Sequence, residues 1–154
     1  MGSGLQITEN WRRLNQTIID LIDYIPDGKI NWSPRPELHN FKGILIHISS
    51  ARHNWMGGCV QDGEASPDVL SEGQTVEGLL RHLDLSWQRV ERFLSDQSKL
   101  DATYEGVWAY GNEPYSHTGH WVAYHLLEHD VHHRADIFHY LALLEVEHPD
   151  VGTP

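Results

Sequence analysis

Cysteine is almost absent from this chain: Cys59 is the single thiol among 154 residues. No internal disulfide can form and a thiolate zinc cage is excluded, so a reducing compartment, the cytoplasm, is the expected setting. Basic residues are scarce too, with 11 Lys and Arg against 22 Asp and Glu and a formal net charge of -11 with neutral histidine. Such a surface repels a polyanion before any base is read, which argues against nucleic-acid binding. Long apolar runs are also missing. No window approaches the roughly 18 consecutive apolar residues of a membrane span, and the N-terminus lacks the basic-then-apolar layout of a signal peptide, so no membrane association is expected.

What is present suffices for one domain, since 40% hydrophobic content over 154 residues can close one core. Histidine is in excess, with 12 copies where about 3 to 4 would be ordinary. Met1–Gly4 is set aside as a flexible start and residues 148–154 as a tail, leaving a single domain over residues 5–147.

Four stretches carry helical periodicity. In the first, Ile7, Trp11, Leu14, Ile18, Leu21, Ile22 and Ile25 recur at steps of three and four, with Thr8 placed to cap the start and Pro26-Asp27-Gly28 to end it. Residues 29–40 carry Pro34 and Pro36 around Trp32 and predict an ordered extended crossing strapped down by the indole. The second helix fits Phe41 to about Met56, along Phe41, Ile44, Leu45, Ile48, Ala51 and Trp55, with Gly57-Gly58 as its stop. Residues 60–74 read as a solvated connection. The third helix starts after Thr75 and shows Val76, Leu79, Leu80, Leu83, Trp87, Val90, Phe93 and Leu94 on one face. Between residues 95 and 119 the pattern weakens, and Tyr104, Val107, Trp108 and Tyr110 beside Gly106 and Gly111 fit a short hairpin. The fourth helix runs from about Thr118 to Leu144 through Val122, Leu126, His129, His133, Ile137, Tyr140 and Leu144. The fold class is all-α, a four-helix bundle with long connections.

His129 and His133 occupy successive turns of an apolar stripe, where an imidazole is costly unless compensated. Side chains at i and i+4 sit about 5 to 6 Å apart at Cβ, so both rings can converge on one metal ion. His47 borders the interior stripe of the second helix and is the natural third ligand, because bundle metal sites draw on opposed helices. One divalent ion satisfies several ring lone pairs at once, whereas neutral imidazoles packed together each need a separate partner. An overlapping frame, His125-Leu126-Leu127-Glu128-His129, matches the H-x-x-E-H pattern of inverted zinc peptidases. It is set aside, because only 25 residues follow His129 and those enzymes need a further carboxylate well downstream. His125 remains a candidate for lining the site. His132 and His139 are expected to face outward or toward a partner chain, and His39, His53, His82, His117, His120 and His148 to lie on the surface.

Ile46-His47-Ile48 and Glu128-His129-Asp130-Val131-His132-His133-Arg134 resemble the two signature segments of the DinB/YfiT-like superfamily, and Trp32-Ser33-Pro34 ahead of the second helix adds to the likeness. The resemblance covers nearly the whole chain. It implies a four-helix bundle whose His47, His129 and His133 hold a divalent metal such as zinc or nickel, and it implies a homodimer. Ala135-Asp136 departs from the Gly followed by Gln or Glu that many members carry, which touches the surroundings of the site and not its ligands.

Three imidazoles leave an open coordination position, the arrangement of catalytic zinc, where water or a thiol can enter. Characterised relatives of that superfamily include enzymes that use low-molecular-weight thiols. A metal-dependent S-transferase joining such a thiol to an electrophilic small molecule is therefore one reading. A metal-dependent hydrolase and a non-catalytic, stress-responsive metal-binding bundle are the others. Glu128, Asp130 and Asp136 are candidates to orient the ligands, with solvated helix carboxylates as the alternative. Cys59 reads as a bystander thiol. Trp55, Trp87, Trp108 and Trp121 divide between core and pocket roles, and Trp121, Tyr124, Phe138 and Leu141 exceed one stripe of the fourth helix, leaving some for a partner copy or for the excursion over residues 95–119.

Overall fold

A computed structural model describes residues 3–148. Helix α1 spans Ser3–Leu21 and passes into a short 3-10 turn, Ile22–Tyr24. It takes in Ser3 and Gly4, which the pattern had left outside, so Thr8 lies within the helix and does not cap it; Met1, Gly2 and residues 149–154 fall outside the described residues.

The crossing that follows is pinned as its composition implies. Phe41 and Lys42 donate backbone N–H groups to Trp32 and Ile30 carbonyls, and the Trp32 ring packs edge-on against Tyr140 at 5.8 Å. Asn40 then starts α2, Phe41–Asn54, by accepting the Gly43 N–H on its side chain at 2.7 Å.

Gly57-Gly58 does not stop this helix. The chain widens into a π turn, Trp55–Val60, and ends at Gln61 with φ +54°. Gly57 serves close approach instead of termination, since a Cβ there would lie 3.0 Å from Ser66 Oγ and 3.2 Å from Arg89 Nη2. The connection beyond holds a four-residue helix α3, Val69–Glu72, with Val69 buried, so it is only partly solvated.

Thr75 caps α4, Val76–Leu94, and Asp96 caps the short α5, Gln97–Asp101. The expected hairpin is present as β1, Thr103–Val107, antiparallel to β2, Pro114–Thr118, with Gly106 opposite Tyr115. Tyr115 crosses over Gly106 so closely that a Cβ there would meet its hydroxyl at 2.5 Å, and that hydroxyl donates to the Gly58 carbonyl in the π turn. Thr118 caps α6, Gly119–Leu143. The described chain is thus mostly helical, with one two-stranded sheet that an all-α reading omits.

The four long helices share one core: α2 packs on α4 and α6, and α1 packs on the same two. Trp11, Ile18, Phe41, Leu45, Ile48, Leu83, Val90, Leu126 and Ile137 fill it. At its centre lies a fully buried ion pair. Arg52 on α2 donates from Nε and Nη2 to Asp130 Oδ2 on α6 at 2.9 and 2.8 Å, and Trp11 Nε1 on α1 donates to the same oxygen at 2.7 Å. Arg52 Nη1 reaches Asn15 Oδ1 on α1 at 2.8 Å and the Leu83 carbonyl and Ser86 hydroxyl on α4 at 3.3 Å. Leu141, one of the residues left for a partner copy, is fully buried in this core, and Phe138 is half-buried against the His148 ring. No described helix is long and apolar enough to cross a membrane.

Removing one partner of a buried, hydrogen-bonded pair strands the other charge at a cost of about 3 to 5 kcal/mol. Asp130→Ala is therefore expected to lose that much in urea denaturation, and a loss below about 1 kcal/mol, the value of an exposed pair, would show that the pair is not the anchor of the core.

Candidate metal centre

The periodicity that puts His129 and His133 one turn apart on α6 also turns both rings toward α2, where His47 sits on the facing side. The three offer one ring nitrogen each, all within 4.8 Å of one another. His47 Nε2 and His129 Nε2 are 3.0 Å apart, and the ring centroids lie at 4.8 Å for His47 with either partner and 4.5 Å for His129 with His133. All three rings are partly buried.

Acidic neighbours set which nitrogen of each ring is free. His133 Nδ1 faces Asp136 Oδ2 at 3.0 Å, and His129 Nδ1 faces Asp130 Oδ1 at 3.5 Å. A carboxylate only accepts, so both rings carry their proton on Nδ1 and keep the Nε2 lone pair for the centre. Tetrahedral coordination at roughly 2.0 to 2.1 Å needs donor nitrogens a little over 3 Å apart. The His47 and His129 nitrogens, 3.0 Å apart, are close to that spacing, and His133 offers the third nitrogen within 4.8 Å, so the donor set could hold a divalent ion. Asp136 supplies the acceptor for His133. Glu128 is exposed.

Electrostatics disfavour protonation of His47 and His133. Burial, followed by the charges that His129 and His133 would carry, pushes His47 down from 6.5 to about 4. Burial and His129 likewise lower His133, against the opposing pull of Asp136. For Asp130, burial pushes upward, but Arg52 and the hydrogen bonds from His129, Arg52 and Trp11 hold it below the ordinary carboxylate range.

The remaining sequence candidates sort by burial. His125, one turn before His129, packs on Trp55 at 4.6 Å and stacks on Trp121 at 4.9 Å, and Trp108 closes on Trp55 at 4.8 Å, so these rings form an aromatic wall leading from the centre. His117 stacks on Trp121 at 3.8 Å and extends that wall to the hairpin. Trp87 is core, tilted against Trp11. His132 and His139 are exposed as expected; His132 and Asp136 form with His133 a second, more open cluster. His39 stacks on His47 with centroids 5.5 Å apart, and His120 pairs with Asp101 on the surface. Two expectations fail: His53 and His82 are not surface residues but lie buried between α2 and α4. Burial pushes the Cys59 thiol up to about 11, which suits a bystander and not a nucleophile.

Sequence reasoning missed Arg52, yet a signal was there: it falls four residues after Ile48 and seven after Leu45, on the apolar stripe. Asp130 occupies the equivalent place on α6, four residues after Leu126.

The depressed His47 gives a pH dependence. An unfolded chain takes up this proton near 6.5 and the folded chain only near 4, so the stability owed to neutral His47 is complete above 6.5 and is lost as pH falls toward 4. Chelator-treated protein should therefore show a lower urea midpoint at about pH 5 than at about pH 7.5, with a smaller drop in His47→Gln. Equal drops in the two proteins would remove His47 as the source.

Comparison with known proteins agrees with this architecture. The family model described as the DinB family matches residues 1–153. The chain is similar to the crystal structure of a DinB-like protein, YjoA, from Bacillus subtilis, with a TM-score of 0.69 and 19% identity over 96% of each chain, a likeness of fold. No curated protein matches the sequence. The family match spans the helices that carry His47, His129 and His133, and the chain belongs to the DinB family.

Proposed function

We propose that this protein is a four-helix-bundle metalloprotein that binds one divalent ion, zinc or nickel, through His47, His129 and His133, and uses it to activate a low-molecular-weight thiol for transfer to an electrophilic small molecule. The observation that carries the proposal is the convergence of three ring nitrogens from two opposed helices within 4.8 Å of one another. A divalent ion held by three neutral imidazoles supplies Lewis acidity at an open position, lowering the pKa of an entering thiol or water. The chain's own residues do the rest. Asp136 and Asp130 fix the ring orientations, and the stacked rings of His125 and Trp121, with Trp55 tilted across them, give an aromatic face beside the centre on which an electrophile can lie.

The test is metal content followed by turnover. Purified protein should carry about one divalent ion per chain, with none retained in His47→Ala or His129→Ala; equal metal in wild type and His47→Ala would refute the site. Asp136→Ala should bind about 10 to 100-fold more weakly, the usual cost of losing a partner of a ligand histidine. Metal-loaded protein assayed with a panel of thiols and electrophiles should form conjugates that disappear in His133→Ala. Ester cleavage without conjugation would establish the hydrolase reading, and metal binding without any turnover the non-catalytic one.

The proposal includes a homodimer. Trp121, Tyr124 and Val131 are exposed at steps of three and seven along α6, an apolar strip that a second copy would cover. A formal charge of -11 on each chain opposes association, so the dimer should tighten as salt rises. Sedimentation at two ionic strengths decides this, and a single-chain mass throughout would exclude the dimer.

A further inference from the structure

A second group of titratable side chains lies apart from the three histidines, where the connection after the π turn crosses α2 and α4. His53 and His82 are 5% and 1% exposed. His53 Nδ1 meets Arg89 Nη1 at 3.1 Å, and His82 Nε2 meets Glu72 Oε2 at 3.0 Å. The partners fix the tautomers. A guanidinium only donates, so His53 accepts on Nδ1 and carries its proton on Nε2; a carboxylate only accepts, so His82 donates from Nε2 and keeps a lone pair on Nδ1. The two outer nitrogens, His53 Nε2 and His82 Nδ1, have no hydrogen-bond partner among the described residues. One is a donor and the other an acceptor, so the pair is not a metal site.

Arg89 also ties down the connection. Its Nε and Nη2 hold Asp62 at 2.6 Å each, Nη2 donates to the Glu64 carbonyl at 2.8 Å, and Nη1 reaches Ser66 Oγ at 3.4 Å. Ser66 Oγ donates in turn to the His53 carbonyl at 3.4 Å. We propose that His53 and Arg89 form a pH-operated latch that holds residues 62–66 against α2 and α4 and releases them when His53 takes up a proton.

The geometry leaves a second proton one place to go. It must bind Nδ1, directly opposite an Arg89 N–H, which turns an acceptor into a donor and sets two cations face to face. The charged and titratable groups around His53 are Arg89 and His82 from α4, Arg52 from its own helix and Glu64 from the connection. Burial, then Arg89, His82 and Arg52, resist its protonation while Glu64 favours it, and the closed latch holds His53 at about 4 against an ordinary 6.5. Once the segment lifts and water enters, the burial penalty, the largest of these, falls away, and Arg89, released from Asp62 and Glu64, can turn from the ring, so acid favours the open form. The segment's Ser66 lines a cavity of about 290 Å³ with Gly58, Trp108 and Tyr110, so release would unseat one wall of that cavity.

The test follows two backbone reporters of the segment, the Asp62 amide bonded to the Met56 carbonyl and the Glu64 amide bonded to Asp62 Oδ1. Hydrogen exchange of the full chain, expressed as protection factors, should show their protection falling by up to about 30-fold between about pH 7.5 and pH 5. His53→Gln can still accept from Arg89 but cannot gain a charge, so its protection should match wild type at the higher pH and change less than about threefold. An equal fall in both proteins, or none in wild type, would overturn the latch. A second measurement needs no variant: the His53 ring resonance of wild type should titrate together with the Asp62, Glu64 and Ser66 amide resonances, and a ring that titrates while those amides stay put would overturn it as well.

Discussion

The fold turns on a single charged contact. Arg52 and Asp130 are both fully buried, and their union is hydrogen-bonded to Trp11 and Asn15 from α1 and to Leu83 and Ser86 from α4, so all four long helices meet at one point. Desolvating two ions costs several kcal/mol each, and the pair is tolerable only because nearly every donor and lone pair is used. Apolar packing would hold the same helices together, and it sets the rotation of α6 only to within the width of the buried stripe. A charge that must find its partner sets it more narrowly.

That rotation matters because Asp130 follows His129 directly. Its Oδ2 is committed to Arg52 and Trp11, and its Oδ1 faces the His129 ring. The same carboxylate that locks α6 onto α2 therefore aims a site residue, and His133 inherits its placement one turn further on. Core and site share an atom group, so neither can drift without the other.

The histidines at 129 and 133 were legible because a polar residue interrupting an apolar stripe is visible in one dimension. Arg52 and Asp130 interrupt their own stripes in the same manner, but their meeting joins residues 78 apart, and no periodicity reports which interruption pairs with which. His53 and His82 escaped for another reason. His82, Ser86 and Arg89 follow one another at steps of four and three, a polar stripe lying beside the apolar one on α4, and such a stripe ordinarily faces water. Here the connection carrying Asp62, Glu64 and Glu72 folds over it, and only tertiary structure reveals the cover. The hairpin was readable from its glycines and aromatics, whereas its anchorage through Tyr115 to the π turn was not.

The π turn at Trp55–Val60 gives α2 one more residue per local turn than an α-helix would hold. Each residue of an α-helix advances about 100° around the axis. Winding the same residues as a plain α-helix would swing the end of the turn and everything after it by about that angle, carrying the Gly58 carbonyl away from Tyr115 and the glycine notch away from Arg89. His47, upstream, would keep its bearing. The turn is thus a joint between two jobs of one helix: the first half faces the histidine centre, the second docks the hairpin and the 61–74 connection.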